Sequence, residues 1–166
     1  MGFEPTSIIG FYNVDKPYGF FSNWYPSEFT VDGIKYSSSE QYMMHQKAVT
    51  FKDSATAEKI LATNDQAYIK ALGRVVANYK ESVWSGMRQL IVFTGLMAKF
   101  SQNEDLRKAL LDTGDAFLVE CSPRDHIWGI GLSLDNDAWH NIDNWKGQNL
   151  LGYTLMAVRE RLRNET

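Results

Sequence analysis

Sulfur chemistry is nearly missing from this chain. One cysteine, Cys121, stands among 166 residues, which excludes an internal disulfide framework and fits a reducing cytosol. The three histidines, His45, His126 and His140, are too scattered for a zinc motif, and a lone cysteine cannot anchor a thiolate site. No metal and no other cofactor is therefore expected. Cys121 and His126 would make a nucleophile and base only on paper, since a cysteine ending an apolar strand is normally small core filling. Phosphate-cradling loops of the Gly-x-x-x-x-Gly-Lys type are absent. Gly129-Ile130-Gly131 starts like a dinucleotide fingerprint but lacks the third glycine and the following helix. Long apolar runs are missing too: no stretch reaches the roughly 18 residues of a membrane span. Met1 to Thr6 lacks the basic start and apolar run of a signal peptide. The expectation is a soluble, cytoplasmic protein with no membrane partner. Excess charge is also absent, the formal net charge being −3, which argues against gripping long nucleic acid through a broad basic surface while leaving room for a local basic pocket. Nothing in the sequence sets an oligomeric state.

What is present suits one folded domain over residues 1–166, with its core at about 8–163: 44% of residues are hydrophobic and 22% charged. Ile8 to Val14 is rich in β-formers and reads as a strand. An irregular stretch follows, broken by Pro17, Gly19 and Pro26. Glu28 to Val31 and Ile34 to Tyr36 flank Asp32-Gly33, the dipeptide of a two-residue hairpin. Helices are predicted over Ser38 to Phe51 and Asp53 to Thr63. A third runs over Asp65 to Leu72, with Asn64 as cap and Gly73 as terminator, and a fourth over Asn78 to Ser101. Glu104 to Leu111 forms another, Ala116 to Cys121 a buried strand, and Gly147 to Leu162 an amphipathic helix with Leu151, Leu155, Val158 and Leu162 inward. The expected class is α+β: mostly helical, with a small sheet from the N-terminal strand, the hairpin and the later strand. Ser122 to Lys146 remains as a long polar loop holding Trp128, Trp139 and Trp145, rings that either build core or stack on flat heterocycles.

The first helix holds the main chemical signal. Glu40 and Lys47 are seven residues apart, which brings them within about 20° of each other around the axis. Met43, Met44, Ala48 and Phe51 share that face, so an acid and an amine are embedded in the stripe a helix turns inward. Burying either charge is costly unless it is paired, and burial moves a pKa toward values useful in proton transfer or amine chemistry. The structural alternatives are an ion pair, side chains reaching water past the methionines, or Glu40 closing a capping box with Ser37. Arg88 falls near the apolar seam of the fourth helix, where a guanidinium either neutralises a carboxylate or awaits an anion such as phosphate. The remaining chemical inventory is Glu120, Asp125 and Trp128, with Asn23 and Asn149 for amide hydrogen bonds.

Five ordered blocks then form a pattern. Gly19-Phe20-Phe21-Ser22-Asn23-Trp24-Tyr25-Pro26, Glu40-Gln41-Tyr42-Met43-Met44-His45-Gln46-Lys47-Ala48, Leu72-Gly73-Arg74, Asp125-His126-Ile127-Trp128-Gly129-Ile130-Gly131 and Trp145-Lys146-Gly147-Gln148-Asn149-Leu150-Leu151-Gly152 resemble the NADAR, or YbiA-like, N-glycosidase family from about Phe11 to Arg163. The resemblance implies cleavage of N-ribosyl bonds in one of two substrate classes. These are the phosphorylated ribosylaminopyrimidines early in riboflavin synthesis, the leading expectation, and ADP-ribose attached to guanine, including guanine in nucleic acid. It suggests Lys47 as a nucleophile forming an imine, with Glu40 or Asp125 carrying protons. Trp128 would be the wall against which base or sugar packs, with Gly129 beside it. Asn23 and Asn149 would hold the base edge or ribose hydroxyls, and Arg74 or Arg88 a phosphate. Direct dissociative hydrolysis competes with the imine route. A module that binds nucleotide or ADP-ribose without turnover is the reading from outside enzymology.

Overall fold

In chain order the elements are β1 (Ile8–Phe11), β2 (Phe29–Val31), β3 (Ile34–Tyr36), α1 (Ser39–Thr50), α2 (Ser54–Leu61), α3 (Gln66–Arg74), α4 (Glu81–Gln102), α5 (Glu104–Leu111), β4 (Phe117–Glu120) and α6 (Leu150–Asn164). This computed structural model describes residues 3–165; Met1, Gly2 and Thr166, and with them the start of the segment read as lacking a signal peptide, lie outside the described residues. The α+β class with a helical majority holds. The strands, however, form two separate pairs rather than one sheet. The chain divides into two compact units, residues 1–22 with 105–166, and residues 23–104. Among the described residues no helix is long and apolar enough to cross a membrane.

In the first unit β1 and β4 run parallel in the register Ile8↔Phe117 to Phe11↔Glu120, and α6 packs on β4. The inward face of α6 is the expected one: Leu151, Leu155, Val158 and Leu162 are all fully buried. Arg159, unremarked in the sequence, is buried beside them because Nη1 donates to the Ala116 carbonyl at 2.8 Å and to Thr113 Oγ1 at 2.9 Å, satisfying a charge that would otherwise be costly. Cys121 is fully buried, and burial pushes its thiol up to about 12, so it is inert filling as expected. The 122–146 segment is less loop-like than its composition suggests. Two short 3₁₀ turns, Asp137–His140 and Ile142–Asn144, are capped by the Asn136 and Asn141 side chains. Trp139 is core, packed with Val119, Cys121, Ile130 and Leu132, and Trp145 packs against that cluster while its indole N–H donates to the Trp139 carbonyl. Two of the three tryptophans in this segment are thus structural.

In the second unit the hairpin forms as read. Asp32 and Gly33 sit at φ 49° and 79°, the left-handed pair of a type I′ turn, and Val31 pairs with Ile34. Phe29, Tyr36, Tyr42 and Ala98 form a core cluster beneath it. Helix α1 packs against α2, α3, α4 and β3, which explains why its first two turns are buried on all sides rather than along a stripe.

Two local readings need correction here. Helix α3 is capped by Asp65, whose Oδ1 accepts from the Tyr68 amide, not by Asn64. It also runs through Gly73 to Arg74. Glycine is required there not to end the helix but to admit α1: a Cβ at Gly73 would lie 1.9 Å from Met44 Sδ. Gly95 on α4 makes the same allowance for the Tyr42 ring at 2.4 Å.

A paired test follows from Gly152 and Gly86. A Cβ at Gly152 would fall 2.0 Å from the Leu118 carbonyl, a backbone atom that cannot step aside, whereas one at Gly86 meets nothing. Gly152→Ala should cost about 3 kcal/mol or more by overpacking. Gly86→Ala, in an exposed helix interior, should gain up to about 1 kcal/mol. Chemical-denaturation midpoints of both variants against the parent chain check this, and equal midpoints would contradict the packing.

Candidate active site

The N-terminal cap of α1 does not use Glu40. The N-cap of α1 is Ser38, whose hydroxyl accepts from the Gln41 amide at 3.0 Å. Gln41 Oε1 reaches back to the Ser37 amide at 2.8 Å and the Ser37 hydroxyl at 3.0 Å. The box is thus closed by Gln41 in place of the expected Glu40. Gln41 Nε2 further donates to the Ile60 and Thr63 carbonyls, and Ser38 Oγ donates to Gln66 Oε1, tying the start of α1 to α2 and α3. Glu40 is left 5% exposed, with its backbone N–H donating to the Asn23 carbonyl. Asn23 is buried in turn, and its Oδ1 accepts from Ser39 Oγ at 2.9 Å. Asn23 is thereby tied to the first turn of α1 through the Glu40 backbone and the Ser39 hydroxyl.

Lys47 lies two turns further on, half-buried. Its Nζ sits 4.6 Å from the centre of the Tyr79 ring and 5.8 Å from that of Trp84. Among the described residues no carboxylate pairs with it directly. Burial lowers the amine below its ordinary value; Glu81 and then Glu40 oppose this by favouring the charged form, and Arg74 adds to the lowering. The aromatic faces favour the ammonium through their quadrupoles but supply no proton acceptor. The product is an amine that yields its proton more readily than a surface lysine.

Tyr79 is held from two sides. Its ring meets Phe51 edge-on at 5.3 Å, and its hydroxyl donates to Glu81 Oε2. The turn before it is pinned where Asp53 Oδ2 accepts from the Ala77 amide at 2.9 Å. Glu81 Oε1 lies 3.6 Å from Arg88 Nη1. Arg88 is only 9% exposed, as its seam position predicted, and its Nε has no hydrogen-bond partner among the described residues. Arg74, at the end of α3, is exposed. Five sequence-predicted residues (Asn23, Glu40, Lys47, Arg74 and Arg88) thus belong to one unit. Tyr79 and Glu81 were not singled out in the sequence. The signal was there in part, because Glu81, Trp84 and Arg88 follow i, i+3, i+7 spacing along one helix face.

The other four predicted residues lie in the first unit. Asp125 Oδ1 accepts from the Ile127 and Trp128 amides at 2.9 Å each, so this carboxylate shapes its own loop with one oxygen. Trp128 is half-exposed. Gly129 is buried against Ser122, and its carbonyl accepts from the Asn149 amide. Asn149 is fully buried at φ 52°, with Oδ1 accepting from the Glu120 amide at 3.0 Å and Nδ2 donating to the Leu118 carbonyl at 3.0 Å. Its amide is spent on bolting β4 to the start of α6, a structural task. Among the described residues no group of three or more His, Cys, Asp or Glu could hold a metal ion.

A half-buried amine between aromatic faces, with a carboxylate two turns away on the same helix and arginines on neighbouring helices, brings together groups suited to amine or acid–base chemistry and to holding an anion. The family model for the NADAR domain matches residues 10–163. The chain is 44% identical over 145 residues to a protein of Acanthamoeba polyphaga mimivirus named N-glycosidase R617, covering 84% of this chain and 85% of that one. It is 36% identical over 154 residues to a Vibrio vulnificus protein named riboflavin biosynthesis protein VVA0006, covering 93% of this chain and 38% of that one. The fold is similar to the NMR structure of Escherichia coli YbiA, with TM-score 0.80 and 33% identity over 98% of this chain and 89% of that one. The chain belongs to the NADAR family.

The lowered amine is directly measurable. Competitive labelling with an amine reagent across pH, read by peptide mass spectrometry, should give Lys47 a titration midpoint below the ordinary 10.5 of lysine. A Lys47 midpoint at or above 10.5 would contradict the electrostatics described here.

Proposed function

We propose that this protein hydrolyses the N-ribosyl bond of phosphorylated ribosylamino heterocycles, with Lys47 as nucleophile. The coarse statement, a hydrolase acting on N-glycosyl bonds, has the support of relatives named N-glycosidase. The riboflavin-related substrate class has the support of the Vibrio vulnificus relative's name. The observation that carries the mechanism is the Lys47 amine, half-buried over Tyr79 and Trp84 with its proton loosened by burial.

The chemistry runs as follows. A ribose joined through an exocyclic amine opens its ring to an imine at the anomeric carbon. Neutral Lys47 adds to that carbon, forming a C–N bond and an aminal. A proton from an acid, assigned to Glu40, goes to the heterocycle's amine, and the original C–N bond breaks with its electron pair leaving on the heterocycle. The enzyme is left holding the sugar as a Lys47 imine. Water adds to the same carbon, the carbinolamine collapses, and the free sugar and the amine are regenerated. Arg88, buried with spare donors, and exposed Arg74 take the sugar phosphate in this reading. Asn23 holds the base edge or a ribose hydroxyl. Asp125 and Trp128 are assigned proton transfer and ring packing, with Gly129 beside them. Asn149 supports rather than touches substrate.

The test is borohydride trapping during turnover of both substrate classes, with free heterocycle detected by mass spectrometry. A reduced sugar adduct on Lys47 is expected, together with loss of at least about 100-fold in kcat for Lys47→Ala. Retained activity in Lys47→Ala without any adduct establishes the dissociative route instead. Turnover confined to ADP-ribosylated guanine reassigns the substrate. Tight ADP-ribose binding with no turnover of any N-riboside makes the chain a binding module.

A further inference from the structure

Glu81 stands outside the roles just assigned, yet it contacts both Tyr79, which covers the amine, and the buried Arg88. One carboxylate oxygen accepts from Tyr79, whose ring is the aromatic face nearest Lys47 Nζ. The other faces Arg88 at 3.6 Å, beyond a normal hydrogen bond. The Glu81 side chain is 63% exposed while that of Arg88 is 11% exposed. A buried guanidinium is therefore balanced by a solvated carboxylate held at a distance, with Nε unsatisfied. A buried arginine ordinarily closes its fork on a carboxylate through two short bonds. This one does not.

We propose that Glu81 is a positioning residue with two jobs: one oxygen fixes the Tyr79 ring over the Lys47 amine, and the other reserves Arg88 for the anionic group of the substrate, releasing it when that anion arrives. The inference rests on the proposed reading of Lys47 and deepens it by naming the group that couples phosphate recognition to the nucleophile. The looseness of the Glu81–Arg88 pair is what makes the exchange feasible. A phosphate offers more acceptor oxygens and more charge than the carboxylate it displaces, and it can meet Nε as well as Nη1. Little is lost when Arg88 turns to the phosphate, because the pair is long, its carboxylate is already solvated, and the incoming anion takes over the balance of the buried guanidinium. Glu81 keeps its hydrogen bond from Tyr79 throughout, so the ring stays in place during the exchange.

The charged groups facing Lys47 are Glu40 on its own helix, Arg74 from α3 and Glu81 from α4, with Arg88 balanced by Glu81. Removing the Glu81 charge leaves burial and Arg74 opposed by Glu40 alone, so the amine falls further. Restoring a free Arg88 charge near the site pushes the same way.

The experiment uses ribose 5-phosphate and ribose as probes, each trapped on the full chain with borohydride across pH, with adduct at Lys47 read by peptide mass. In the parent chain ribose 5-phosphate should trap at lower concentration than ribose. Glu81→Gln keeps an acceptor for Tyr79 but removes the charge, so its trapping midpoint should move down by about half to one pH unit. Its preference for the phosphorylated sugar should rise about threefold, since nothing competes for Arg88. Tyr79→Phe should slow trapping about threefold with the preference unchanged, and Arg88→Lys should collapse the preference, because an ammonium lacks the planar fork. Glu81→Gln with both midpoint and preference at parental values overturns the proposal while leaving the Lys47 mechanism standing. No adduct in the parent chain with either sugar, and none during turnover, removes the Lys47 reading and Glu81's role with it.

Discussion

The desolvation of one amine is the constraint around which the second unit is organised. Taking an ammonium out of water disfavours its charge, and a protein normally answers by pairing it with a carboxylate. Here the answer is incomplete by design of the surroundings. Tyr79 and Trp84 offer ring faces at 4.6 and 5.8 Å, which soften the penalty without accepting a proton. Glu81 and Glu40 act through space, and Arg74 opposes them. Complete pairing would have held the proton in place; no compensation at all would have expelled the side chain to solvent. The intermediate solution leaves an amine held below its ordinary value yet still half-open to solvent.

Such a balance demands that α1 be held without slack, and the packing supplies this through backbone rather than through bulk. Gly73 and Gly95 let α3 and α4 approach until Met44 and the Tyr42 ring occupy the space of a missing side chain. Gln41 binds the Ser37 amide, the Ile60 carbonyl and the Thr63 carbonyl with one side chain. That single amide satisfies donors and acceptors on three segments, and by doing so it relieves Glu40 of the capping duty its sequence position suggested. A hydrogen bond of 2.8 Å between the Tyr36 hydroxyl and His45 Nδ1 ties β3 to the same helix, and burial disfavours the charged form of His45.

Much of this was legible in residue order, and the failures share a cause. The hairpin was readable because Asp32-Gly33 needs only local backbone chemistry, and the inward face of α6 because helical periodicity repeats four times. The Glu40–Lys47 relation followed from helix geometry alone. What the sequence could not express was tertiary approach. Gly73 reads locally as a terminator and acts as a contact surface for Met44. Asn149 looks like a recognition amide and is consumed by the backbone of β4. Trp139 and Trp145 look like a stacking platform and are core with its supporting ring. In each case a side chain's local chemistry was read correctly, while its partner lay far along the chain. Glu81 escaped notice for the opposite reason: its partners Tyr79 and Arg88 are close in sequence, but no motif joins a tyrosine, a carboxylate and an arginine at those spacings.

A second buried lysine shows which physical property separates chemistry from structure. Lys99 on α4 is fully buried, and burial lowers its amine to about 7, near the working pH of a cell. By the criterion of a perturbed titration it would outrank Lys47. Its Nζ lies 5.1 Å from the Phe100 ring and 5.7 Å from the Tyr25 ring, inside the protein, where no anomeric carbon can reach it. Lys47 is displaced less from its ordinary value and remains half-open. A nucleophile must be both deprotonatable and reachable, and these two requirements pull against each other, because the solvent that grants access also restores the charge. Lys47 combines a lowered amine with partial exposure by exchanging water for aromatic faces. That one-sided shelter, rather than depth of burial, is what sets Lys47 apart from Lys99.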